Sequence, residues 1–363
     1  MLYRTYGKTG KSISVLGAGC MRFRTPMTPR GMEESAEILL HAHAKGINYF
    51  DTAPLYCDDR SEEIAGLAVR RMKPGTFYVS TKSQATDADS LRRDLERSLK
   101  RMAVDRIHFF HIWCLLRPEE WEERKRGGVV KAALRAKEEG LIEHLVFSTH
   151  MSGDETARVI REGVFEGVTL GYSAINFPYR RRGLDAAAQA GLGVVTMNPL
   201  GGGVIPGHAE RFDFIRGGGD PDVVTAALRF NLSHPAITSA LVGFSSQQEV
   251  DQAVAALDGF APYDAAFIGA LEKKIEDRFD GLCTGCGYCL PCPKDVPIPK
   301  YMDAYNMYML ENTRDGLLAR LKWHWDLTTR DAGRCDGCGQ CEGACTQSLP
   351  IIERLREIGN PGS

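Results

Sequence analysis

The sequence contains little that would place the protein in a membrane or on nucleic acid. No stretch approaches the roughly 18 consecutive apolar residues that a membrane-spanning helix requires. Lysine and arginine number 45 against 47 aspartates and glutamates, so the formal net charge is −2 and no basic excess points to nucleic acid. The first residues show no apolar segment followed by a cleavage site. We therefore expect a cytoplasmic protein with neither a membrane nor a nucleic acid as its partner.

Cysteine is scarce over most of the chain and concentrated near its carboxyl end. Of the eleven cysteines, three are scattered through the first third, namely Cys20, Cys57 and Cys114. The others lie between Cys283 and Cys345. In a small secreted protein this density would suggest disulfides, whereas in a cytosolic chain of 363 residues it indicates metal binding.

Short apolar runs alternate with amphipathic helical segments up to about residue 260. Eight runs are continuously apolar, as expected of strands covered on both faces, and they are SVLGAG, INYFDTA, TFYVSTK, IHFFHIW, EHLVFST, GVTLGYSAIN, GVVTMNP and SALVGFS. The intervening segment DSLRRDLERSLKRMAV repeats apolar side chains on one helical face, at Leu91, Leu95, Leu99 and Met102. Eight βα units predict an α/β fold in which a (β/α)8 TIM barrel closes, and an open doubly wound sheet is the alternative.

The chain is expected to form two domains. The segment FAPYDAAFIGALEKKIEDRFDG predicts a last helix, after which the cysteine-rich sequence begins. We assign residues 1–280 to the barrel and residues 281–363 to a small α-helical ferredoxin-like domain. Within the second domain, KYMDAYNMYMLEN and GLLARLKWHWDL predict two helices that separate two cysteine runs.

Four polar residues stand at or just after the ends of predicted strands 2, 3 and 4, and they are Asp51, Tyr56, Lys82 and His111. Because the carboxyl ends of barrel strands surround one mouth, we expect the four side chains to lie together. Each alone would more often cap a loop or pack. Together they suit carbonyl reduction: Tyr56 would protonate the substrate oxygen, Lys82 would favour the phenolate, and Asp51 would hold Lys82 charged. The histidine would orient the carbonyl.

These motifs resemble the aldo/keto reductase family over residues 1 to about 260. The similarity is carried, in the family's order, by YRTYGKTGKSISVLGAGCMRF, GINYFDTAPLY with SEEIAG, VSTK, FFH, FST and NPLGGG. It implies an oxidoreductase that reduces a small-molecule carbonyl, or oxidises an alcohol, with a nicotinamide cofactor. Tyr56 would then be the catalytic acid/base, and Asp51, Lys82 and His111 would complete a tetrad.

The resemblance also implies a dinucleotide across the barrel mouth. Ser148 and Asn176 would hold the nicotinamide amide, and the NPLGGG loop would approach the pyrophosphate. The loop GFSSQQE after strand 8 would take the adenosine end. The full set of implied contact residues is Cys20, Met21, Ser148, Asn176, Leu200, Gly201, Gly202, Gly203, Gly243, Ser245 and Glu249.

Three positions depart from the family's pattern. Thr149 stands where an asparagine often follows the serine, and Tyr172 stands where a glutamine often begins the strand-6 motif. Residues 243–253 contain no arginine or lysine, and Glu249 occupies about the position where an arginine is expected. A carboxylate there should repel the 2′-phosphate of NADPH, so we expect NAD(P)H binding with a preference for NADH.

Two cysteine runs have the spacing of iron–sulfur ligands. They are Cys283, Cys286, Cys289 and Cys292, and Cys335, Cys338, Cys341 and Cys345. In two-cluster ferredoxins the fourth cysteine of a run reaches the neighbouring cluster. By this logic two [4Fe–4S] clusters form, with Cys345 completing the first site and Cys292 the second. Structural zinc is the alternative. CTGCGYCLPCP resembles the tail of an aldo/keto reductase subgroup with a fused cluster domain.

Clusters move one electron whereas nicotinamide moves a hydride, and this mismatch leaves three alternatives. A flavin or a redox partner protein mediates between them, or the clusters serve a partner while the barrel works independently. In the third, the barrel no longer transfers hydride and the chain is a redox sensor or electron carrier, which the intact tetrad argues against.

Two further features bear on the barrel mouth. The three scattered cysteines are expected around it, where Cys57 near Lys82 would have a lowered thiol pKa, although packing is the favoured explanation. Arginines after strands 1 and 6, among them Arg22 and Arg180, would suit an anionic substrate, although such arginines more often solvate a loop.

Overall fold

The computed structural model describes residues 1–25, 27–275, 281–311 and 313–360. Within these residues no helix combines the length and the apolarity needed to cross a membrane. The chain divides into two compact units. The first contains Met1–Leu200 and Ile215–Leu271, and the second contains Gly201–Phe214 and Glu272–Ser363.

The first unit contains a closed barrel of eight parallel strands and a short antiparallel hairpin. The strands are β1 (Tyr3–Thr5), β2 (Ser12–Ser14), β3 (Leu16–Gly19), β4 (Tyr49–Asp51), β5 (Tyr78–Ser83), β6 (Ile107–Leu115), β7 (Ile142–Thr149), β8 (Gly167–Gly171), β9 (Gly193–Met197) and β10 (Ser239–Gly243). The barrel order is β10-β3-β4-β5-β6-β7-β8-β9, which confirms the predicted TIM barrel over the open sheet. Strands β1 and β2 form a separate antiparallel hairpin, with Tyr3 opposite Ser14, that the sequence did not predict.

The residue that follows β1 fills one end of the barrel. Tyr6 is fully buried, and its ring centre lies 4.4 Å from that of Phe109. Strands β8 and β9 begin with Gly167 and Gly193, where an added Cβ would overlap the Tyr6 ring. The glycines at these two positions are therefore required by the close approach of the aromatic plug.

The helices follow the strands in alternation through the first unit and make up most of the second. They are α1 (Pro29–Ala44), α2 (Ser61–Val69), α3 (Ala88–Met102), α4 (Pro118–Arg126), α5 (Val129–Glu138), α6 (Gly153–Arg161), α7 (Phe177–Ala190), α8 (Val204–Gly207), α9 (Ala209–Phe212), α10 (Val223–Ser233), α11 (Gln247–Ala255), α12 (Ala265–Ile275), α13 (Ile298–Glu311), α14 (Arg314–Ala319), α15 (Gln340–Gly343) and α16 (Ile351–Gly359). Helices α8, α9 and α13 to α16 belong to the second unit.

Helix α3 illustrates how local sequence sets an element. The side chain of Asp87 accepts a hydrogen bond from the Ser90 amide and caps the helix at its amino end. Ala103 ends it in a left-handed conformation, with φ of 52°. The buried face carries Leu91, Leu95 and Met102 as predicted, but it also carries Ser98, while the predicted Leu99 is only partly buried.

The second unit has its own helical core. Tyr301 and Met302 of α13 pack with Leu355 and Ile358 of α16, and the cysteines of both runs lie against this core. Helix α14 continues into a wider π-type turn at Arg320–His324. The predicted small helical domain is therefore confirmed, with its two helical segments at α13 and α14.

The domain boundary predicted at residue 280 lies in 276–280, outside the described residues, and so does the end of the predicted last helix. Residues 201–214 form the one internal segment of the predicted barrel domain that is grouped with the second unit. This segment follows the seventh barrel strand and contains the glycines of the NPLGGG motif.

Candidate active site and metal sites

A buried ion pair forms the centre of the candidate active site. Lys82, on β5, donates to Asp51, at the end of β4, over 2.5 Å and to the carbonyl oxygen of Thr52 over 2.7 Å. The other carboxylate oxygen of Asp51 accepts from the hydroxyl of Ser80. Both charged residues are only 3% exposed. Asp51 therefore fixes the Lys82 ammonium group in a defined position inside the barrel.

Tyr56 lies beside this ion pair on the loop between β4 and α2. The Lys82 ammonium is 5.3 Å from the centre of the Tyr56 ring. Trp113 forms a T-shaped contact with the Tyr56 ring, with ring centres 5.6 Å apart and planes at 89°. Tyr56 is partly exposed. A positive charge at this distance favours the phenolate, as an acid/base tyrosine requires.

The loop that carries Tyr56 has an unusual backbone. Leu55, Cys57, Asp58 and Asp59 all have positive φ, at 71°, 52°, 52° and 62°. Arg101 of α3 holds the loop through two hydrogen bonds to Asp59, of 2.7 and 2.6 Å. These hydrogen bonds lower the pKa of Asp59 to about 2. Such a run of left-handed residues persists only where the surroundings impose it, so Arg101 is a determinant of the loop's shape.

His111 is fully buried on β6, opposite Lys82 in the strand register. Its Nδ1 faces the carbonyl oxygen of Thr81 at 3.3 Å, and its Nε2 faces the hydroxyl of Thr169 at 2.9 Å. Burial, with the charge of Lys82, lowers the pKa of His111 to about 4. The imidazole is therefore neutral at physiological pH, and because a carbonyl only accepts, Nδ1 carries the proton.

The two residues predicted to hold the nicotinamide amide differ in their surroundings. Ser148, at the end of β7, is 3% exposed, and its hydroxyl has no hydrogen-bond partner among the described residues. Asn176, before α7, uses its side-chain oxygen to accept from the amide of Ser173 at 3.1 Å and from its hydroxyl at 2.9 Å. A buried hydroxyl without a hydrogen-bond partner costs free energy. The Ser148 hydroxyl is therefore available to form a hydrogen bond with a polar ligand.

In the loop after β10, the Glu249 carboxylate accepts hydrogen bonds from the loop itself. Glu249 accepts from the Ser245 amide at 2.7 Å and from the Ser245 hydroxyl at 2.8 Å. Ser246 caps α11 at its first turn. The amino terminus of a helix can bind an anion through its free amide groups. Here the Glu249 carboxylate already accepts the hydrogen bond of the Ser245 amide, just before α11. The side chain of Arg22 lies against Gly243, where an added Cβ would be 2.6 Å from its Cγ.

Cys20 and Met21 follow β3. Cys20 is fully buried, and its carbonyl oxygen accepts from the Ser61 hydroxyl at 2.7 Å and from the Cys57 thiol at 3.4 Å. Met21 is partly exposed. The three scattered cysteines all stand near the carboxyl ends of barrel strands, since Cys114 lies on β6. Burial raises the pKa of the Cys57 thiol, which agrees with the favoured packing explanation and contradicts the alternative of a reactive thiol.

The glycines of the NPLGGG motif contact the cysteine-rich sequence. Leu200 is the last residue of its segment of the first unit, whereas Gly201, Gly202 and Gly203 belong to the second. Gly202 has a φ of 70°, and a Cβ on it would overlap the carbonyl oxygen of Thr284. Thr284 stands between two cysteines of the first run. The absence of a side chain at Gly202 is therefore explained by this backbone contact.

The two cysteine runs together line two separate cavities. The first cavity is lined by Cys283, Cys286, Cys289 and Cys345. The second is lined by Cys292, Cys335, Cys338 and Cys341, with Cys289 at its edge. The fourth cysteine of each run thus lies with the first three of the other, in the arrangement that the spacing predicts.

The thiols around these cavities range from the buried Cys341 to the exposed Cys338. Burial raises the pKa of Cys283 and of Cys289 to about 12, and that of Cys341 to about 11. Backbone amides of Gly285 and Leu349 donate to the sulfurs of Cys283 and Cys345, each at 3.4 Å. These thiols are therefore protonated at neutral pH unless a metal displaces the protons, as iron–sulfur ligation does.

Within the described part of the chain, the cysteines line cavities instead of converging on one point. Within the described residues, no three side chains of His, Cys, Asp or Glu converge as one bound ion would require. The sulfurs instead surround a cavity.

Sequence reasoning missed several residues of these sites. Ser80 stands two positions before Lys82 on the same strand face, so the period of a β-strand could have identified it. Thr169 and Arg101 gave no such signal, because they reach the site from distant elements.

Comparison with known proteins identifies both parts of the chain. Residues 15–276 match the aldo/keto reductase family and residues 282–349 match a 4Fe-4S dicluster domain. The chain is 23% identical to the L-galactose dehydrogenase of Arabidopsis thaliana, with 70% of this chain and 87% of that protein covered. It is 22% identical to the NADH-specific methylglyoxal reductase of Escherichia coli, with 66% and 88% covered.

A solved structure shows the same fold. The aldo-keto reductase of Bacillus halodurans, in its holo form, matches with a TM-score of 0.63 at 21% identity, over 75% of this chain and 96% of that chain. The chain therefore belongs to the aldo/keto reductase family and carries a 4Fe-4S dicluster domain after its barrel.

Proposed function

We propose that the barrel reduces the carbonyl group of a small molecule, or oxidises the corresponding alcohol, with a nicotinamide cofactor. The observation that carries this proposal is the Lys82 ammonium, held by Asp51 and directed at the Tyr56 ring. A bound nicotinamide would supply the hydride. Tyr56 would donate the proton to the substrate oxygen, and the adjacent Lys82 charge would stabilise the phenolate that remains.

In the proposed nicotinamide site, the hydroxyl of Ser148 and the side chain of Asn176 would bind the nicotinamide amide. The remaining dinucleotide contacts, from Cys20 and Met21 through Leu200–Gly203 to Gly243, Ser245 and Glu249, are proposed on the family resemblance. NADH is the preferred form, because Glu249 already occupies the Ser245 amide and would repel a 2′-phosphate. The NADH specificity of the Escherichia coli relative agrees with this preference.

For the second unit we propose two [4Fe–4S] clusters. Cys283, Cys286, Cys289 and Cys345 would bind the first, and Cys292, Cys335, Cys338 and Cys341 the second. The two cavities and the match to a dicluster domain support this assignment. The clusters would exchange single electrons with a redox partner protein, and a flavin or that partner would mediate any exchange with the barrel, because nicotinamide is a poor one-electron donor.

Anaerobic purification tests the proposal. Iron and sulfide content, visible absorbance and EPR spectra before and after dithionite would establish the clusters, and HPLC of the released cofactors would reveal a flavin. NADH oxidation with a panel of small aldehydes that includes methylglyoxal would reveal the reductase activity. Clusters without any NADH-dependent turnover across the panel, and without NADH binding, would instead favour the redox-sensor or electron-carrier function.

A further inference from the structure

A buried arginine lies next to the first cysteine cavity. Arg354, on α16, is 6% exposed. It donates to the carbonyl oxygen of Gly281 at 2.7 Å, and its guanidinium group lies 4.6 Å from the centre of the Tyr305 ring. The Tyr305 hydroxyl donates in turn to Glu357. The guanidinium is therefore fixed by contacts on several sides.

The Gly281 carbonyl that Arg354 holds stands two residues before Cys283, so this cation lies near the first cavity. Cys283 and Cys345 both interact electrostatically with the Arg354 guanidinium. Gly281 permits the close approach, since an added Cβ would lie 2.8 Å from Nη2 of Arg354. A charge held in a buried position beside the sulfurs acts through a low effective dielectric, so it is screened little by water or salt.

The second cavity has a different electrostatic environment. Asp336 lines it and is paired with Lys294 at 3.5 Å, and both side chains are about half exposed. Arg356, two residues after Arg354 on the same helix, lies near Gly337 but is exposed. Cys338 is exposed as well. The charges near the second cavity are thus in contact with water. Near the first cavity, the carboxylate of Asp303 also acts on Cys283, but it is paired with Arg320 at 2.8 Å, whereas Arg354 is the buried cation there.

We propose that Arg354 makes the cluster bound by Cys283, Cys286, Cys289 and Cys345 the more easily reduced of the two. The inference rests on the proposed cluster assignment. Reduction of a [4Fe–4S]2+ cluster adds one electron and neither forms nor breaks a bond, so the site becomes more negative by one charge. A fixed neighbouring cation stabilises the reduced form more than the oxidised form, which raises the reduction potential.

This order has a consequence for electron transfer. A one-electron donor protein would reach the cluster at Cys338 first, because that cysteine is exposed. The electron would then pass to the cluster beside Arg354 and remain there, because that cluster has the higher reduction potential.

An EPR-monitored redox titration with dithionite, on the full-length protein loaded with iron and sulfide, tests the proposal. Arg354→Met should lower the equilibrium constant for reduction of one cluster at least tenfold, which is about 59 mV for a one-electron couple. Arg354→Lys should recover most of the loss, because the charge is retained. Arg356→Met is the matched control and should change either potential much less, since its charge is solvated.

Equal potentials in Arg354→Met and the wild type, at full iron content, would overturn the proposal. If Arg354→Met does not retain iron, ligand variants decide the question. The EPR signal that appears first on reduction of the wild type should change in Cys286→Ser and persist unchanged in Cys338→Ser, and the reverse result rejects the order. Absence of any cluster signal in the wild type would reject the cluster assignment itself, which is a separate failure.

Discussion

The ammonium group of Lys82 lies 2.5 Å from the Asp51 carboxylate, and both residues are only 3% exposed. The same ammonium lies 5.3 Å from the centre of the Tyr56 ring. One buried ion pair thus connects the stability of the barrel with the chemistry of its mouth. Removing the phenol should affect the chemistry alone, whereas removing one charge should affect both.

Tyr56→Phe should lower kcat/KM for carbonyl reduction by a factor of about 10² to 10⁴, the usual contribution of a general acid. Only the proton donor is lost, so NADH affinity and iron content should stay unchanged. Steady-state kinetics, fluorescence titration with NADH and iron analysis measure the three quantities. Tyr3→Phe, on the exposed amino-terminal hairpin, is the control. Near-wild-type turnover by the Tyr56 variant would remove Tyr56 from the mechanism.

Lys82→Met should destabilise the barrel by about 3–5 kcal/mol, because it leaves the Asp51 carboxylate buried without its partner. The double variant Lys82→Met with Asp51→Asn should be more stable than the single variant, since the uncompensated charge is then gone. Urea denaturation of the three proteins, followed by circular dichroism, gives the free energies of unfolding. Equal stability of the single and double variants would mean that the pair contributes no such coupling.

Arg101→Met should lower kcat at least tenfold while leaving the Kd for NADH unchanged. Arg101 holds Asp59 at the end of a loop with four left-handed residues, each of which costs on the order of 1–3 kcal/mol, so its loss lets Tyr56 leave Lys82. Arg101→Lys should restore part of the rate. Arg92→Met removes an exposed arginine of the same helix and should leave kcat unaltered. A parallel loss of kcat and NADH affinity in Arg101→Met would indicate general disruption instead of mispositioning.

Glu249→Arg should shift cofactor preference toward NADPH. The change removes the carboxylate that occupies the Ser245 amide and places a cation near a 2′-phosphate. The ratio of the Kd values for NADH and NADPH, measured by fluorescence titration, reports the shift. Gln248→Arg adds the same charge at the exposed neighbouring position and serves as the control. Tighter binding of NADPH than NADH by the wild type would contradict the proposed preference directly.

The sequence was sufficient to predict the barrel because each of its eight strands is a continuous apolar run. Such runs can be recognised from the local sequence, without knowledge of which strands pair. The hairpin of β1 and β2 escaped prediction because its strands have three residues each and are partly exposed. Asp51, Tyr56, Lys82 and His111 could be identified because they occur at strand ends. Arg101 could not, since only the folded chain brings it to the loop that carries Tyr56. For Cys57 the sequence favoured packing over a reactive thiol, and the thiol pKa raised by burial agrees with packing.

The last prediction concerns Gly202, which sequence analysis assigned to a dinucleotide loop and which packs on Thr284 next to Cys283. Gly202→Ala should lower the iron content and weaken the EPR signal of the first cluster, because its Cβ would overlap the Thr284 carbonyl and displace the ligand loop. Gly203→Ala is a close control: φ at Gly203 is also positive, at 99°, but no atom lies within 4 Å of an added Cβ. Both variants carry the strain of a left-handed alanine, and only Gly202→Ala adds the clash. Equal iron content in the two variants would show that the contact with Thr284 does not constrain the cluster, and that Gly202 is required for its backbone conformation alone.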